Sequence, residues 1–319
     1  MAEATLEGVR HAVLGGRRRI GDRAFRLICR AAGLALPVVL GLMVVNLARL
    51  SAPVWQRAGT GLVTGMRWAP SQNEFGVLPF LYGTLVTSAV ALVLATPIGL
   101  ATALFISELA PRAVRRPVAA LIDLLAAVPS VVYGLWGIFV LVPALRPVQR
   151  WLADTLGPAI PIFRGPAPGV GYLTAGVILA IMILPTISAV SREVFLTVPG
   201  DQREAAHALG ATRWEAIRVA VLPAAQSGVV GAIILGLARA LGETIAVTMV
   251  IGNSPLINVS LLSPGYTMAS VIANEFAEAT TPLHAEALVA VGLLLLAVTV
   301  AVNIVARLLV RRTRVRMAR

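Results

Sequence analysis

The chain contains six apolar stretches that are each long enough to cross a lipid bilayer. A spanning helix needs about 20 predominantly apolar residues. Mean hydropathy is +0.85 and only 13% of residues are charged, whereas about a quarter are charged in a typical soluble domain. The sequence therefore predicts an all-α integral membrane protein with six transmembrane helices, at about residues 28–49, 79–106, 117–143, 170–190, 226–251 and 285–309.

The arginines predict how these spans are oriented. Cytoplasmic flanks hold the excess of basic residues in membrane proteins. Most arginines lie before span 1, between spans 2 and 3, between spans 4 and 5 and after span 6. We therefore expect both termini to be cytoplasmic. The expected organisation is an Arg-rich arm at 1–27, a six-span domain at 28–310 and an Arg-rich tail at 311–319.

The same arginines limit the partners and cofactors that we expect. The net charge of +12 follows from arginines that flank apolar runs, so it indicates membrane lipid and not nucleic acid. The chain has no lysine, which a Walker A loop needs, so any ATPase must be a separate subunit. One cysteine, Cys29, and three histidines without metal-ligand spacing predict no metal and no cofactor. All three histidines, including His284, are expected at the surface.

Three connectors on the arginine-poor side are long and rich in Gly, Pro, Ser and Asn. They cover about 50–78, 144–169 and 252–284. Connectors of this length are either functional or disordered. Composition leaves both interpretations open: a docking surface for an extracytoplasmic partner, or simple linkers.

The connector before span 5, at about 198–223, predicts two short helices joined by a tight turn. Asp201 with Glu204 forms a capping-box pattern for a helix at about 202–209, and Gly210 suits the left-handed position that follows a helix. Thr212 with Glu215 repeats the pattern. The second helix is expected to run to Leu222, where Pro223 interrupts it.

Two interpretations of this 198–223 loop are compatible with its residues. Ala205, Ala208 and Leu209 form a small apolar face that fits a groove on a partner protein. Alternatively, the helices lie at the lipid interface, with arginines on the phosphate headgroups. The arginines in question are Arg203, Arg213 and Arg218.

The loop resembles the EAA motif of ABC importer permeases, whose pattern is E-A-A, three residues, G, nine residues, I, one residue, L-P. The departure is Ala220, which stands where the pattern prefers Ile. The resemblance implies a type I ABC importer permease architecture in which this loop is a cytoplasmic coupling helix that docks into the ATP-binding subunit. The matching residues are Glu204, Ala205, Ala206, Gly210, Leu222 and Pro223.

Span 5 carries two opposite charges, Arg239 and Glu243, in the stretch GLARALGETIAVTMVIGN. Residues four apart share a helix face, so we expect both on one face with Gly236 and Ala246. Intramembrane charges usually mark a substrate or ion path, and a guanidinium matches the oxygens of phosphate. The alternative is a structural ion pair that neutralises both charges within the bundle.

Three stretches resemble the permeases of the Pst high-affinity phosphate importer, and TIAVTMVIGN is more similar to the PstC-type subunit than to the PstA-type subunit. The resemblance implies a bacterial cytoplasmic membrane, a PstA-type partner permease, a dimer of PstB-type ATPase and a PstS-type phosphate-binding protein. It also implies that Arg239 and Glu243 contribute to the phosphate path. The stretches are FGVLPFLYGTLVTSAVALVLATPIGLATALFISELAP, VPSVVYGLWGIFVLVP and GLARALGETIAVTMVIGN.

Other functions are compatible with part of the sequence. A single arginine does not separate phosphate from sulfate, molybdate or a phosphonate. A secondary transporter would use Asp123 or Glu243 as a proton carrier, but the EAA-type loop argues against it. A membrane enzyme is disfavoured, because the chain has no H-E-x-x-H or G-x-S-x-G motif.

Overall fold

A computed structural model describes the backbone of residues 2–317 and the side chains of residues 22–308. Its contacts divide the chain into two units, residues 1–50 and residues 51–319. Residues 1–21 of the predicted N-terminal arm and the predicted tail at 311–319 lie outside the described side chains. The helices are α1 (Ala2–Ala58), α2 (Gly61–Thr64), α3 (Leu78–Leu104), α4 (Arg112–Ala127), α5 (Ser130–Trp136), α6 (Val142–Thr155), α7 (Tyr172–Leu196), α8 (Gly200–Ala208), α9 (Arg213–Ala216), α10 (Leu222–Gly242), α11 (Ile245–Val250), α12 (Met268–Glu275) and α13 (Pro282–Met317).

Six helical segments of the described chain are long and apolar enough to cross a membrane, which confirms the predicted all-α fold with six spans. Three of them contain a π-turn, in which the hydrogen bond reaches one residue further than in an α-helix. The π-turns are Phe105–Leu109, Gly137–Leu141 and Ile217–Val221. The six segments are Asp22–Ala58, Leu78–Leu109, Ser130–Thr155, Tyr172–Leu196, Arg213–Gly242 and Pro282–Leu308.

The predicted bounds of span 3, 117–143, are wrong. The chain leaves the helical conformation at Val128, where ψ is 128°, because the ring of Pro129 disfavours a helical residue before it. The preceding α4 is a separate amphipathic helix that exposes Asp123 and has no ion pair there among the described side chains. The apolar segment starts at Ser130 and continues to Thr155.

The predicted bounds of span 5, 226–251, are also wrong. The helical segment begins at Arg213, ends at Gly242 and passes through Pro223 without interruption. A proline donates no hydrogen bond, and its ring crowds the carbonyl four residues earlier. The π-turn immediately before α10 shifts the hydrogen-bond register at this point and so accommodates the proline.

The α7 helix lies at the centre of the bundle, packed between α3 and α10. Close approach depends on small residues. Ile187 of α7 lies between Gly99 of α3 and Gly236 of α10, and a Cβ atom at Gly236 would lie 2.8 Å from Ile187 Cγ1. Ile187 and its neighbour Ile183 are fully buried. Gly99 and Gly236 therefore allow α3 and α10 to pack closely against the two sides of α7.

Two connectors, 59–77 and 251–281, fold into a packed cap at one end of the bundle. A short antiparallel pair, β1 (Trp68–Ala69) and β2 (Glu74–Phe75), packs with α12 over the ends of α3 and α13. Trp68 Nε1 donates to Glu275 Oε2 at 2.9 Å, and His284 Nε2 lies 3.0 Å from the same oxygen. Burial raises the pKa of Tyr266 in this cap to about 12. These connectors are therefore ordered, and the prediction that His284 lies at the surface is wrong, since it is 7% exposed.

Candidate functional site

The first helix of the 198–223 loop forms as the sequence predicts, with a different start. The α8 helix ends at Ala208, and Gly210 follows with φ of +87°, a conformation that favours glycine. The predicted Asp201–Glu204 capping box is wrong. Pro199 stands at the cap position with extended backbone, so the helix starts at Gly200 and Asp201 lies inside its first turn.

The second capping box is confirmed. Thr212 Oγ1 accepts a hydrogen bond from the Glu215 backbone N–H at 3.4 Å, and Glu215 Oε2 accepts one from the Thr212 N–H at 2.8 Å. This reciprocal pair fixes the start of α9 at Arg213, three residues after the left-handed Gly210. The 198–223 loop is therefore a helix–turn–helix unit with a defined geometry.

One face of this unit is exposed and apolar. Ala205 and Ala208 are exposed, and Leu209 is 91% exposed. Trp214, which the sequence analysis did not single out, adds an indole that is 60% exposed next to the turn. Its signal in the sequence is a large aromatic residue two positions after the helix cap Thr212. Of the other motif residues, Glu204 and Gly210 are exposed and Ala206 is half-buried.

Arg203 lies on the other side of α8 and contacts the bundle. Its Nη2 and Nε atoms donate to the two carboxylate oxygens of Glu108 at 2.9 and 3.2 Å. Its Nη1 and Nη2 atoms donate to the carbonyls of Val198 and Phe195, each at 2.7 Å. Its four hydrogen bonds to protein oppose the interpretation that places this arginine on lipid headgroups. Sequence reasoning had no signal for the partner, which lies 95 residues away.

Arg239 lies in the last turn of α10, inside an apolar span, and is exposed. Its Nη1 atom donates to the hydroxyl of Thr186 on α7 at 3.2 Å. Among the described side chains it forms no ion pair. This leaves four of the five N–H groups of the guanidinium without a partner among the described residues.

Glu243 lies beyond the end of α10 and not on its surface. Its backbone is extended, with φ of −70° and ψ of 131°, and its Oε1 atom accepts a long 3.4 Å hydrogen bond from the Ala246 N–H. The prediction that Arg239 and Glu243 share a helix face with Gly236 and Ala246 is therefore wrong: both small residues are buried, whereas Arg239 is exposed. The cause is the poor helix former Gly242, after which the chain resumes as α11.

The hydroxyl groups that follow this break are occupied by their own backbone. Thr248 Oγ1 donates to the Thr244 carbonyl at 2.8 Å, and Thr244 Oγ1 donates to that of Gly242 at 3.2 Å. Asn253, with φ of +50°, donates to the Thr248 carbonyl at 3.1 Å. Ser and Thr in spans commonly bond their own helix in this way. The charged side chains of Arg239 and Glu243 are therefore the main groups of this segment that can bind a polar substrate.

The six apolar helical segments define a multi-pass membrane protein. The family model described as "Binding-protein-dependent transport system inner membrane component" matches residues 95–315. The chain belongs to this family. It is a multi-pass inner membrane protein and a permease subunit of an ABC transporter.

The relatives narrow the class further. The chain is 41% identical to "Phosphate transport system permease protein PstC" of Mesorhizobium japonicum, covering 93% of this chain and 92% of that protein. It is 44% identical to the protein of the same name from Xylella fastidiosa, over 93% and 94%. It is 42% identical to "Phosphate transport system permease protein PstC 2" of Mycobacterium tuberculosis, over 91% of each chain. The resemblance to PstC-type permeases is thereby confirmed.

Solved structures show the same fold. A bacterial alginate ABC transporter in complex with its periplasmic protein matches with a TM-score of 0.58 at 14% identity, covering 88% of this chain and 93% of that one. An inward-facing MetNI methionine ABC transporter matches with a TM-score of 0.51 at 20% identity, covering 74% and 94%. At these identities the likeness is one of fold, and it confirms the type I ABC importer permease architecture.

Proposed function

We propose that this chain carries inorganic phosphate across the membrane as one half of an ATP-driven importer, and that Arg239 contacts the phosphate. The observation that carries the proposal is the exposed guanidinium inside an apolar span, bonded to the Thr186 hydroxyl and to no carboxylate among the described side chains. The names of the relatives support phosphate as the substrate.

An arginine suits this role for two physical reasons. Its guanidinium stays ionised at any physiological pH, and its forked donors match two oxygens of a tetrahedral anion. An unpaired charge at the bilayer centre costs about 2.5–3.5 kcal/mol on insertion scales. A position that faces a water-filled path lowers this cost, and an incoming anion lowers it further.

Glu243 serves in this proposal as a competing anion at the helix break. Its carboxylate makes one long hydrogen bond, to the Ala246 N–H at 3.4 Å, so its position is weakly fixed. The extended backbone at Glu243 lets small changes of its dihedral angles move the carboxylate relative to α10. We infer that such a movement brings the carboxylate toward Arg239, where it competes with phosphate for the guanidinium.

Two features support the other subunits of the proposed importer: the chain contains no lysine, and α8 exposes an apolar face. Without lysine there is no P-loop, so a separate PstB-type dimer hydrolyses ATP and docks on the apolar face of Ala205, Ala208 and Leu209. A PstA-type permease completes the path, and a PstS-type protein delivers phosphate to the cap. Both termini are cytoplasmic in this arrangement, on the side of the 198–223 loop.

The test is uptake into proteoliposomes that contain the purified four-component complex. We expect ATP-dependent uptake of labelled phosphate, with little competition from a tenfold excess of sulfate or molybdate. Uptake of sulfate or molybdate in preference to phosphate would assign the path to another oxyanion. Uptake that continues with a hydrolysis-deficient ATPase and collapses with an uncoupler would instead identify an ion-driven secondary transporter.

A further inference from the structure

A partly buried ion pair joins the 198–223 loop to the ends of two spans. The carboxylate of Glu108 is 11% exposed and the side chain of Arg203 is 24% exposed. The Nε and Nη2 atoms of Arg203 grip both oxygens of that carboxylate. This bidentate geometry fixes orientation as well as distance, so α8 cannot rotate relative to Glu108 without breaking both bonds.

The same arginine holds the end of α7. Arg203 donates to the carbonyl of Phe195, in the last turn of α7, and to that of Val198, two residues beyond the helix, at 2.7 Å each. Glu108 lies in the π-turn that ends the α3 segment. The neighbouring carbonyl of Ser107 accepts from Arg115 of α4 at 3.0 Å. One guanidinium therefore connects α8 with the ends of α7 and α3, and the turn that it grips is tied to α4.

The position of Arg203 on α8 separates this contact from the apolar face. At 3.6 residues per turn, Ala205, Ala208 and Leu209 lie roughly 140–240° around the axis from Arg203. Those three residues are exposed, whereas Arg203 points into the bundle. A force applied to the exposed face of α8 reaches the spans on the opposite side, where Arg203 makes its four bonds.

We propose that Arg203 and Glu108 are a positioning pair that makes α8 and the α3 segment move as one body when the ATPase changes conformation. The proposal rests on the proposed function, in which the ATPase docks on α8. A lysine at position 203 would keep the positive charge but lose the forked N–H donors that bind both carboxylate oxygens. A glutamine would lose the charge and most of the N–H donors. The pair therefore serves coupling, and it contacts neither phosphate nor ATP.

The first test compares phosphate transported with ATP hydrolysed in the reconstituted complex. We expect Arg203→Gln to lower phosphate transported per ATP at least about fivefold, and the double variant with Glu108→Gln to show no further loss, as for residues that act as a unit. The ATPase should still co-purify, and Arg203→Lys should give an intermediate ratio. The control is Arg192→Gln, whose arginine pairs with the exposed Glu193 at 3.0 Å and should leave the ratio unchanged.

Three results would overturn the proposal. An unchanged ratio in a complex with lower thermal stability would make the pair purely structural. Loss of the ATPase from the complex would place Arg203 in the docking contact. Additive losses in the single and double variants would mean that the two side chains act separately. The double variant also removes both charges, so no unpaired buried charge complicates its folding.

A second measurement does not depend on phosphate. In a Cys29→Ser background, spin labels at Gln202→Cys on α8 and Val93→Cys on α3 report the distance between the two elements in nucleotide-free and ATP-bound complexes. We expect one narrow distance distribution in both states, and a broad or nucleotide-dependent distribution after Arg203→Gln. A distance that changes with ATP in the unaltered pair would overturn the proposal. If phosphate uptake is absent while this result holds, the proposed function fails and the positioning pair stands.

Discussion

Two charged residues of span 5 that look like an ion pair in the sequence are separate groups in the structure. Arg239 bonds the Thr186 hydroxyl and Glu243 bonds the Ala246 N–H. Their i and i+4 spacing predicts a pair only if the helix continues, and it ends at Gly242. This favours a role in the path over the structural ion pair, because a purely structural pair requires contact between the two charges.

At the residue scale, Glu243→Gln is expected to leave folding and assembly intact. The glutamine carbonyl can accept the Ala246 N–H in the same way, and no described cation loses an ion-pair partner. Without a competing carboxylate, phosphate should be held longer. We expect a lower apparent KM and a lower maximal rate of uptake in proteoliposomes. A variant that disappears from the membrane would show instead that Glu243 stabilises the bundle.

At the element scale, local chemistry explains most of what the sequence predicts correctly. Apolar length gives the six spans, the Thr212–Glu215 box gives the start of α9, and Gly210 gives the turn. The wrong predictions concern contacts that form only in the folded chain. The helix continues through Pro223 because a π-turn shifts the hydrogen-bond register just before it, and no pattern in the sequence predicts that π-turn. The contact of Arg203 with Glu108 depends on how α8 packs against α3, so only the folded chain reveals it.

The turn between α8 and α9 allows a direct test of the loop geometry. A Cβ atom at Gly210 would meet nothing within 4 Å, so its φ of +87° is the only barrier to substitution. That conformation costs about 1–2 kcal/mol for a residue other than glycine. We expect Gly210→Val to leave membrane insertion unchanged and to lower the phosphate transported per ATP hydrolysed.

The matched control for this turn is Gly200, at the start of α8. It also has open space around it and is not among the positive-φ glycines of the chain. Gly200→Ala should therefore transport phosphate at the normal rate, and Gly210→Asn should fall between the two, since asparagine tolerates the left-handed conformation. Equal activity of Gly210→Val and the native chain would contradict a coupling role for the turn.

At the scale of the whole molecule, the proposed contacts lie at the two ends of one stretch of chain. The α8 helix with its apolar face precedes the Arg213–Gly242 segment across the Gly210 turn, and Arg239 lies in the last turn of that segment. The proposed ATPase contact is therefore linked to the proposed phosphate contact through this turn and one helical segment. The neighbouring α7 helix is buried, with Ile187 between Gly99 and Gly236. It gives the Arg213–Gly242 segment a rigid surface against which to move.

The central claim is that Arg239 contacts phosphate during transport, and replacing its charge tests this most directly. Labelled phosphate uptake would be measured in proteoliposomes of the complete complex with Arg239→Gln, beside Arg150→Gln as a control for loss of an exposed arginine at a span end. We predict that Arg239→Gln abolishes uptake while the subunits assemble in normal yield, and that Arg150→Gln transports normally. Uptake at the native rate by an assembled Arg239→Gln complex would contradict the account.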